Sequence, residues 1–402
     1  MPDTTLSTSG GLSRRRLFAA GGAAAVGVAG TAVAGGLVGR ATASEHPTPA
    51  TESLLVPFHG EHQAGVATRP QTHAVVAAYT LRGGATLEAA GRMMRLVTDD
   101  ARRLTAATPA LNDQEPALAQ IPARLTVTVG FGSGLFSKLG LTDEQPAGLI
   151  DLPAFRIDRL QPAWSGGDLI LQVCADDPLV VAHALRQLTK TLRTFTTGRW
   201  VQRGFTQTTA QLDGAGAGRN LMGQVDGTAN PGPDTPDFAP LVWAGGPGWF
   251  SGGTTMVVRR IAMQLDTWDE LDTAGKEIAV GRRLHNGAPL TGSLETDEPD
   301  FTVTDTTGLP VIPAFAHIAR ARHTNDTERF LRRAYNYDDG LTDSGLIFTT
   351  FQADIARQYL PVQQRLADND LMNEWTTPIG SATFALPPGC SPDGYLGEGL
   401  LP

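Results

Sequence analysis

The sequence predicts an α+β protein built from two ferredoxin-like modules with antiparallel sheets. Two observations support this prediction. The chain has 402 residues, which exceeds the usual size of a single hydrophobic core and favours two packed modules. Each half of the chain also shows the order strand, helix, strand, strand, helix, strand, so the βαββαβ pattern of a ferredoxin-like unit occurs twice.

In the first half, apolar runs and polar–apolar alternation predict four strands. These strands are His73–Leu81, Arg124–Gly130, Asp168–Ala175 and Arg199–Gln207. Apolar residues with a helical period predict two helices, Thr86–Leu104 and Pro178–Phe195. One face of such a sheet packs against its helices, and the other face is free to pack against the second module or a cofactor.

The second half shows the same pattern. The predicted strands are Thr254–Leu265, Arg329–Tyr337, Gly345–Phe351 and Ala382–Leu386, and the predicted helices are Thr267–Arg283 and Ala353–Leu366. We therefore place the N-terminal module at residues 44–213 and the C-terminal module at residues 253–402. The connection at residues 214–252 is rich in Gly and Pro, and long connections often carry functional residues.

The N-terminus predicts export. Three arginines, Arg14 to Arg16, precede Leu17-Phe18 and an Ala/Gly/Val-rich stretch, which ends before Ala41-Thr42-Ala43. This pattern is typical of a twin-arginine (Tat) signal at residues 1–43 with an A-x-A cleavage site. An inner-membrane anchor is the alternative, since the apolar stretch is long enough to span a bilayer. Export would engage the Tat translocon and place the protein in the periplasm, outside the cell or at its surface.

Charge and cysteine content exclude several classes of protein. The net charge is −9, with 32 basic and 41 acidic residues, so binding to nucleic acid is not expected. The two cysteines, Cys174 and Cys390, cannot supply an iron–sulfur cluster or a Cys-rich zinc site. Histidine is therefore the expected protein ligand of any metal.

The most informative segment is Met222–Pro231, which places turn-forming Gly, Asn and Pro residues around the carboxylate of Asp226. Alone, Asp226-Gly227 is a common turn signal. Three further segments accompany it. They are Glu61-His62-Gln63-Ala64-Gly65, Ala316-His317-Ile318 and Phe330-Leu331-Arg332-Arg333-Ala334-Tyr335-Asn336-Tyr337.

In this order, the four segments resemble the haem-dependent dye-decolourising peroxidases, particularly the secreted branch that includes the deferrochelatases. The resemblance covers residues 55 to 390. It implies a fold of two ferredoxin-like modules, with one haem b per chain bound mainly by the C-terminal module. It also implies that hydrogen peroxide is reduced while dyes, phenolics or other small-molecule electron donors are oxidised.

The resemblance also implies roles for individual residues. His317 matches the proximal iron ligand, and His323 is the alternative ligand in the same polar connection. A ligating histidine usually donates its second ring proton to an acceptor. Candidates for that acceptor are Asp338, Asp339 and Asp343.

On the distal side, Asp226 matches the acid/base and Arg332 the residue that stabilises negative charge. Asp226, Gly227 and Arg332 are expected to contact the haem. A carboxylate can act as a base in mildly acidic solution, whereas histidine needs a pH above about 6. Turnover is therefore expected to peak at about pH 4 to 5. By strand alternation, Arg333 should face away from Arg332.

Other residues could support the site. His62 could contact the haem edge, and Arg203, Arg282 or Arg283 could pair with the propionates. Dyes are too bulky for a crowded distal pocket, so a Tyr or Trp ring could relay an electron from the surface.

Two other functions stay open on sequence alone: release of iron from haem by a deferrochelatase, and haem transport by a carrier without catalysis. Exposed sheet edges are compatible with a homo-oligomer. A copper partner or an iron-uptake partner cannot be read from the residues.

Overall fold

The computed structural model describes residues 54–207 and 218–402. The predicted signal at residues 1–43 lies outside these residues, as do the first residues of the N-terminal module and of the connection. The module boundaries therefore stay predictions. In the described part of the chain, no helix has the length and apolar character needed to cross a membrane.

The N-terminal module has the ferredoxin-like topology. Its strands are β1 (His73–Leu81), β2 (Thr126–Phe131), β3 (Leu169–Ala175) and β4 (Thr196–Phe205). Its helices are α1 (Leu87–Thr105), α2 (Pro116–Ala119), α3 (Ser133–Leu139) and α4 (Pro178–Leu192). The strand order is β2-β3-β1-β4, and the three pairings that join these strands are antiparallel.

Helices α1 and α4, the long helices of this module, each begin directly after a capping residue. Thr86 accepts a hydrogen bond from the Ala89 amide at the start of α1, and Asp177 caps α4 ahead of Pro178. The apolar faces of both helices cover one face of the sheet and form the largest core cluster.

The C-terminal module repeats the topology. After α5 (Phe238–Val242), its strands are β5 (Thr254–Met263), β6 (Leu331–Arg332), β7 (Tyr335–Asp338), β8 (Ser344–Gln352) and β9 (Thr376–Leu386). Its helices are α6 (Leu265–Asp269), α7 (Thr273–Val280), α8 (His317–Ala321) and α9 (Leu360–Asn369). Strand β5 lies between β9 and β8, and β6 and β7 pair with the other edge of β8.

The two sheets join at single residue pairs, Phe131 with Ala385 and Phe205 with Asn336. Because β5 pairs with both β8 and β9, the strand order closes on itself through both modules. A second core cluster contains residues from both sheets, including Val76 and Ile170 of the first and Met256 and Phe384 of the second. The prediction of two packed ferredoxin-like units is confirmed.

Three elements of the C-terminal module differ from their predicted form. The helix predicted at Thr267–Arg283 is two helices, because Asp272 caps a new helix by accepting a hydrogen bond from the Gly275 amide. The helix predicted at Ala353–Leu366 begins with a π-helical turn at Ile355–Tyr359. The strand predicted at Arg329–Tyr337 is divided into β6 and β7, which keep one register against β8.

Candidate active site

The segment around Asp226 is held by side-chain amides. The Asn220 side-chain oxygen accepts from the amides of Met222 (3.0 Å) and Gln224 (3.2 Å). The Asn336 side-chain oxygen in β7 accepts from the Leu221 amide at 3.1 Å. The Asn220 bonds fix the turn within the segment, and the Asn336 bond attaches the segment to the sheet of the C-terminal module.

Asp226 and Arg332 form an ion pair. Arg332 Nη1 lies 3.2 Å from Asp226 Oδ1, and the two side chains are 26% and 25% exposed. The next residue, Gly227, has φ of +115°, which non-glycine residues rarely adopt. A glycine therefore allows the chain to turn immediately after the carboxylate.

Strand alternation separates the two neighbouring arginines, as predicted. Arg332 faces Asp226, whereas Arg333 is buried and donates hydrogen bonds to Gln71 Oε1 and the carbonyl of Thr68. Arg333 thus ties β6 to the N-terminal module and leaves Arg332 at the site.

His317 is the first residue of α8 and contacts a carboxylate. Its Nδ1 lies 2.6 Å from Oδ2 of Asp370, which is almost fully buried. Because an ionised carboxylate only accepts, Nδ1 carries a proton, and in the neutral imidazole Nε2 has the free lone pair. Among the described residues, Nε2 has no hydrogen-bond partner, and the His317 side chain is 38% exposed.

The charges around His317 link it to the ion pair. Burial lowers its pKa, but the charge and hydrogen bond of Asp370 raise it, and the net pKa of the imidazole lies above its usual range. Arg332 also lowers this pKa and Asp226 raises it. The charges of Arg332 and Asp226 therefore both act on the protonation of His317.

The predicted acceptors for His317 were wrong. Asp339 and Asp343 both bind Arg260, at 3.2 Å and 2.7 Å, and Asp338 accepts from Ser344. These three aspartates lie at the turn between β7 and β8, where Asp339 and Asp343 pair with Arg260 and Asp338 accepts from a hydroxyl. Asp370 follows α9, and its other oxygen accepts from the Met372 amide at 3.0 Å.

His323 and His62 are placed elsewhere. His323 is 48% exposed and lies 3.9 Å from Asp326. His62 stacks on Trp243 with ring centroids 3.8 Å apart, and its Nδ1 lies 2.7 Å from the Gly252 carbonyl oxygen.

Of the three arginines proposed for the propionates, Arg282 is influenced by the charge of Arg332. Burial lowers its pKa, Glu295 raises it, and the charge of Arg332 lowers it. Its Nη1 binds the carbonyl oxygens of Gly287 (2.7 Å) and Glu295 (2.9 Å). Arg203 instead lines a groove of about 970 Å³ along α4 and β4. Asp226, His317 and Arg332 do not line this groove.

A cavity of about 230 Å³ adjoins the ion pair and is lined by Asp226, Gly227, Asn230 and Arg332, among others. It is smaller than the roughly 300–1,000 Å³ of typical cofactor pockets. The cavity therefore suits a small polar molecule next to Asp226 and Arg332.

These residues fit a haem. An imidazole with a free Nε2, oriented by a buried carboxylate, has the chemistry of a haem-iron ligand. The paired carboxylate of Asp226 and guanidinium of Arg332 can supply proton transfer and charge stabilisation. The class that the fold and these residues define is that of the haem peroxidases.

Comparison with known proteins agrees with this class. Residues 63–206 match the family model "Dyp-type peroxidase, N-terminal", and residues 217–391 match "Dyp-type peroxidase, C-terminal". The dye-decolorizing peroxidase of Thermobifida fusca (strain YX) is 40% identical, over 78% of this chain and 76% of the relative. A deferrochelatase of Yersinia pestis bv. Antiqua (strain Nepal516) is 35% identical, over 86% of this chain and 84% of the relative.

Solved structures show the same likeness. A DyP-type peroxidase from Cellulomonas bogoriensis has a TM-score of 0.84 and 52% identity, covering 86% of this chain and 98% of that one. Ferric DtpA from Streptomyces lividans has a TM-score of 0.84 and 38% identity, covering 87% and 97%. The chain belongs to the DyP-type peroxidase family and is a haem enzyme that acts on hydrogen peroxide.

Sequence reasoning missed Asp370 and gave no role to Asn230, although Asn230 lies inside the Asp226 segment. Asn230 makes three hydrogen bonds to Arg332. An Asn four residues after the carboxylate was a visible signal, whereas nothing in the sequence around Asp370 distinguishes it from other acids near helix ends.

Proposed function

We propose that this chain is an exported peroxidase in which His317 would hold the haem iron, while Asp226 and Arg332 act on hydrogen peroxide. The proposal rests on two contacts: Arg332 Nη1 lies 3.2 Å from Asp226 Oδ1, and His317 Nδ1 lies 2.6 Å from Oδ2 of the buried Asp370. When bound, the haem would supply the electrons that reduce peroxide, and the electron donors would then return the haem to its starting state.

Asp226 moves the proton. As a carboxylate it would accept a proton from one oxygen of hydrogen peroxide and return it to the other oxygen, which leaves as water, while a bound haem would supply the two electrons for this reduction. Arg332 stays charged and stabilises the negative charge that develops as the oxygen–oxygen bond breaks. The hydrogen bond from Nδ1 to Asp370 makes His317 a stronger donor.

Release of iron from haem is the second candidate function, because relatives at 35% identity are named deferrochelatases. Product analysis with peroxide and a dye separates the two. Oxidised dye with intact haem supports the peroxidase, whereas metal-free porphyrin with unchanged dye supports the deferrochelatase. A haem carrier needs the ligand alone, so the Asp226–Arg332 pair argues against it.

Two tryptophans are the best candidates for an electron relay. Trp268 is buried and donates to the Met222 carbonyl at 3.1 Å, four residues before Asp226. Its ring contacts the half-buried ring of Trp375, with centroids 5.2 Å apart. Burial raises the pKa of Tyr335 and raises that of Tyr337 to about 12. Since tyrosine must lose a proton when oxidised, these two rings are poorer relays.

Changing Trp375 to Phe should therefore slow the oxidation of bulky dyes and leave small phenols unaffected. Steady-state kinetics with one donor of each size measure the effect. Trp243→Phe is the matched control, since Trp243 is half-buried but stacks on His62. Equal dye kinetics in wild type and Trp375→Phe would rule out this relay.

We also propose Tat-dependent export to the periplasm or beyond, because Arg14 to Arg16 precede an apolar stretch and an A-x-A site. Changing the three arginines to lysine should leave an unprocessed protein in the cytoplasm, as detected by cell fractionation. Arg40→Lys is the control, and it should be exported normally. Export of the triple variant at the wild-type level would contradict the proposal.

A further inference from the structure

Asn230 contacts Arg332 with its whole side-chain amide. Its Oδ1 accepts from the Arg332 backbone amide at 3.0 Å and from Arg332 Nε at 3.3 Å. Its Nδ2 donates to the Arg332 carbonyl at 2.8 Å. One carboxamide thus binds both backbone polar groups and the side chain of the same arginine.

Asn230 satisfies the backbone polar groups that Arg332 presents at the outer edge of β6. Arg332 lies opposite Thr350 of β8, but its backbone N–H and C=O both point to Asn230, away from β8. The next residue, Arg333, donates its backbone N–H to the Thr349 carbonyl of β8 at 2.8 Å. At the edge of β6 that does not face β8, the Asn230 side chain takes the place of a neighbouring strand. Like a peptide group, its amide offers one donor and one acceptor side by side.

The same contact orients the guanidinium. With Nε bound to Asn230 Oδ1, the plane of the group is fixed, and Nη1 reaches Asp226 Oδ1 at 3.2 Å. Asn230 belongs to the same turn as Asp226, because its own backbone amide donates to the Gly227 carbonyl at 3.0 Å. The spacing between the carboxylate and the cation is thus set by one short turn.

We propose that Asn230 is a positioning residue that holds the Arg332 guanidinium in its active orientation beside Asp226. This inference rests on the proposed role of Arg332. Asparagine suits the position because aspartate lacks the donor for the Arg332 carbonyl and alanine lacks both groups. A misplaced cation stabilises the developing charge less well, although it stays in the site.

The first test is a double-mutant cycle on the haem-loaded full chain. The rate of the spectral change with hydrogen peroxide is measured for wild type, Asn230→Ala, Arg332→Leu and the double variant. Asn230→Ala should slow this step about 10-fold in the wild-type background, near the lower end of the effect of losing an orienting partner. The same substitution should have no effect in the Arg332→Leu background, because the guanidinium that Asn230 positions is absent there.

The cycle separates positioning from a general structural role. An equal loss of rate in both backgrounds would overturn the proposal, since Asn230 would then act independently of Arg332. Asn230→Asp, which keeps the acceptor and the shape, repeats the cycle if the alanine variant does not fold. Its effect must also vanish in the Arg332→Leu background.

The second test does not depend on activity. Hydrogen exchange followed by mass spectrometry on the same proteins should show faster exchange of the Arg332 backbone amide in Asn230→Ala. Asn336→Ala is the matched control, since Asn336 binds Leu221 and Arg219 of the same segment without touching Arg332. Unchanged protection in Asn230→Ala, or lost protection with an unchanged peroxide rate, would overturn the proposal. A wild-type protein that does not respond to peroxide would refute the proposed function instead, and the exchange result would still report on the contact.

Discussion

Changing Asp226 to Asn should slow the reaction with hydrogen peroxide by about 100- to 10,000-fold, the usual contribution of a positioned acid/base group. The amide keeps the shape of the side chain and can still accept a hydrogen bond from Arg332 Nη1. It cannot take up the peroxide proton. Stopped-flow absorption of the haem-loaded protein measures this step directly.

The pH dependence adds a second readout for Asp226. The wild-type rate should vary with pH, whereas the residual rate of the Asn variant should not vary in the same way, because an amide exchanges no proton. Glu295→Gln is the matched control, because Glu295 binds Thr228 in the same segment at 2.7 Å. A fast, wild-type-like reaction in Asp226→Asn across the pH range would remove Asp226 from the mechanism.

Changing His317 to Ala should yield a protein that does not retain haem at the wild-type level, because the iron loses its protein ligand. Changing Asp370 to Asn should have a smaller effect, a loss of roughly 10- to 100-fold in haem affinity or peroxide rate, as is usual for a group that orients a metal ligand. The carboxamide still fits beside Nδ1, but it lacks the negative charge that strengthens the imidazole as a donor. Haem titration followed by Soret absorption measures both variants.

His323→Ala is the control for this pair, since His323 was the alternative ligand and is exposed beside Asp326. It should bind haem like the wild type. Haem loss in His323→Ala together with retention in His317→Ala would reverse the assignment of the ligand.

The four strands and two long helices of the N-terminal module were predicted from sequence because they are long and regular, whereas the short helices α2 and α3 were not predicted. Strand β1 has the predicted bounds, His73–Leu81, and α1 differs by one residue at each end. In the C-terminal module, periodicity continued across Asp272 although a new helix begins there. Local capping by one side chain overrides a periodic pattern that spans it.

Some residues of the candidate site could be predicted from sequence and others could not. The four segments could be recognised from their own residues, and the structure places Asp226 in contact with Arg332. The acceptor for His317 could not be chosen, because Asp370 lies 53 residues further along the chain. Residue type identifies candidates, but only the fold shows that Arg260 pairs with two of the aspartates that were proposed.

The most direct test of the account is the absorption spectrum of the purified, haem-loaded wild-type protein before and after one equivalent of hydrogen peroxide. We expect a Soret band at one haem per chain, a rapid spectral change with peroxide, and return to the starting spectrum when a donor is added. A protein that stays colourless with ample haem supply, or whose Soret band does not respond to peroxide, would contradict it.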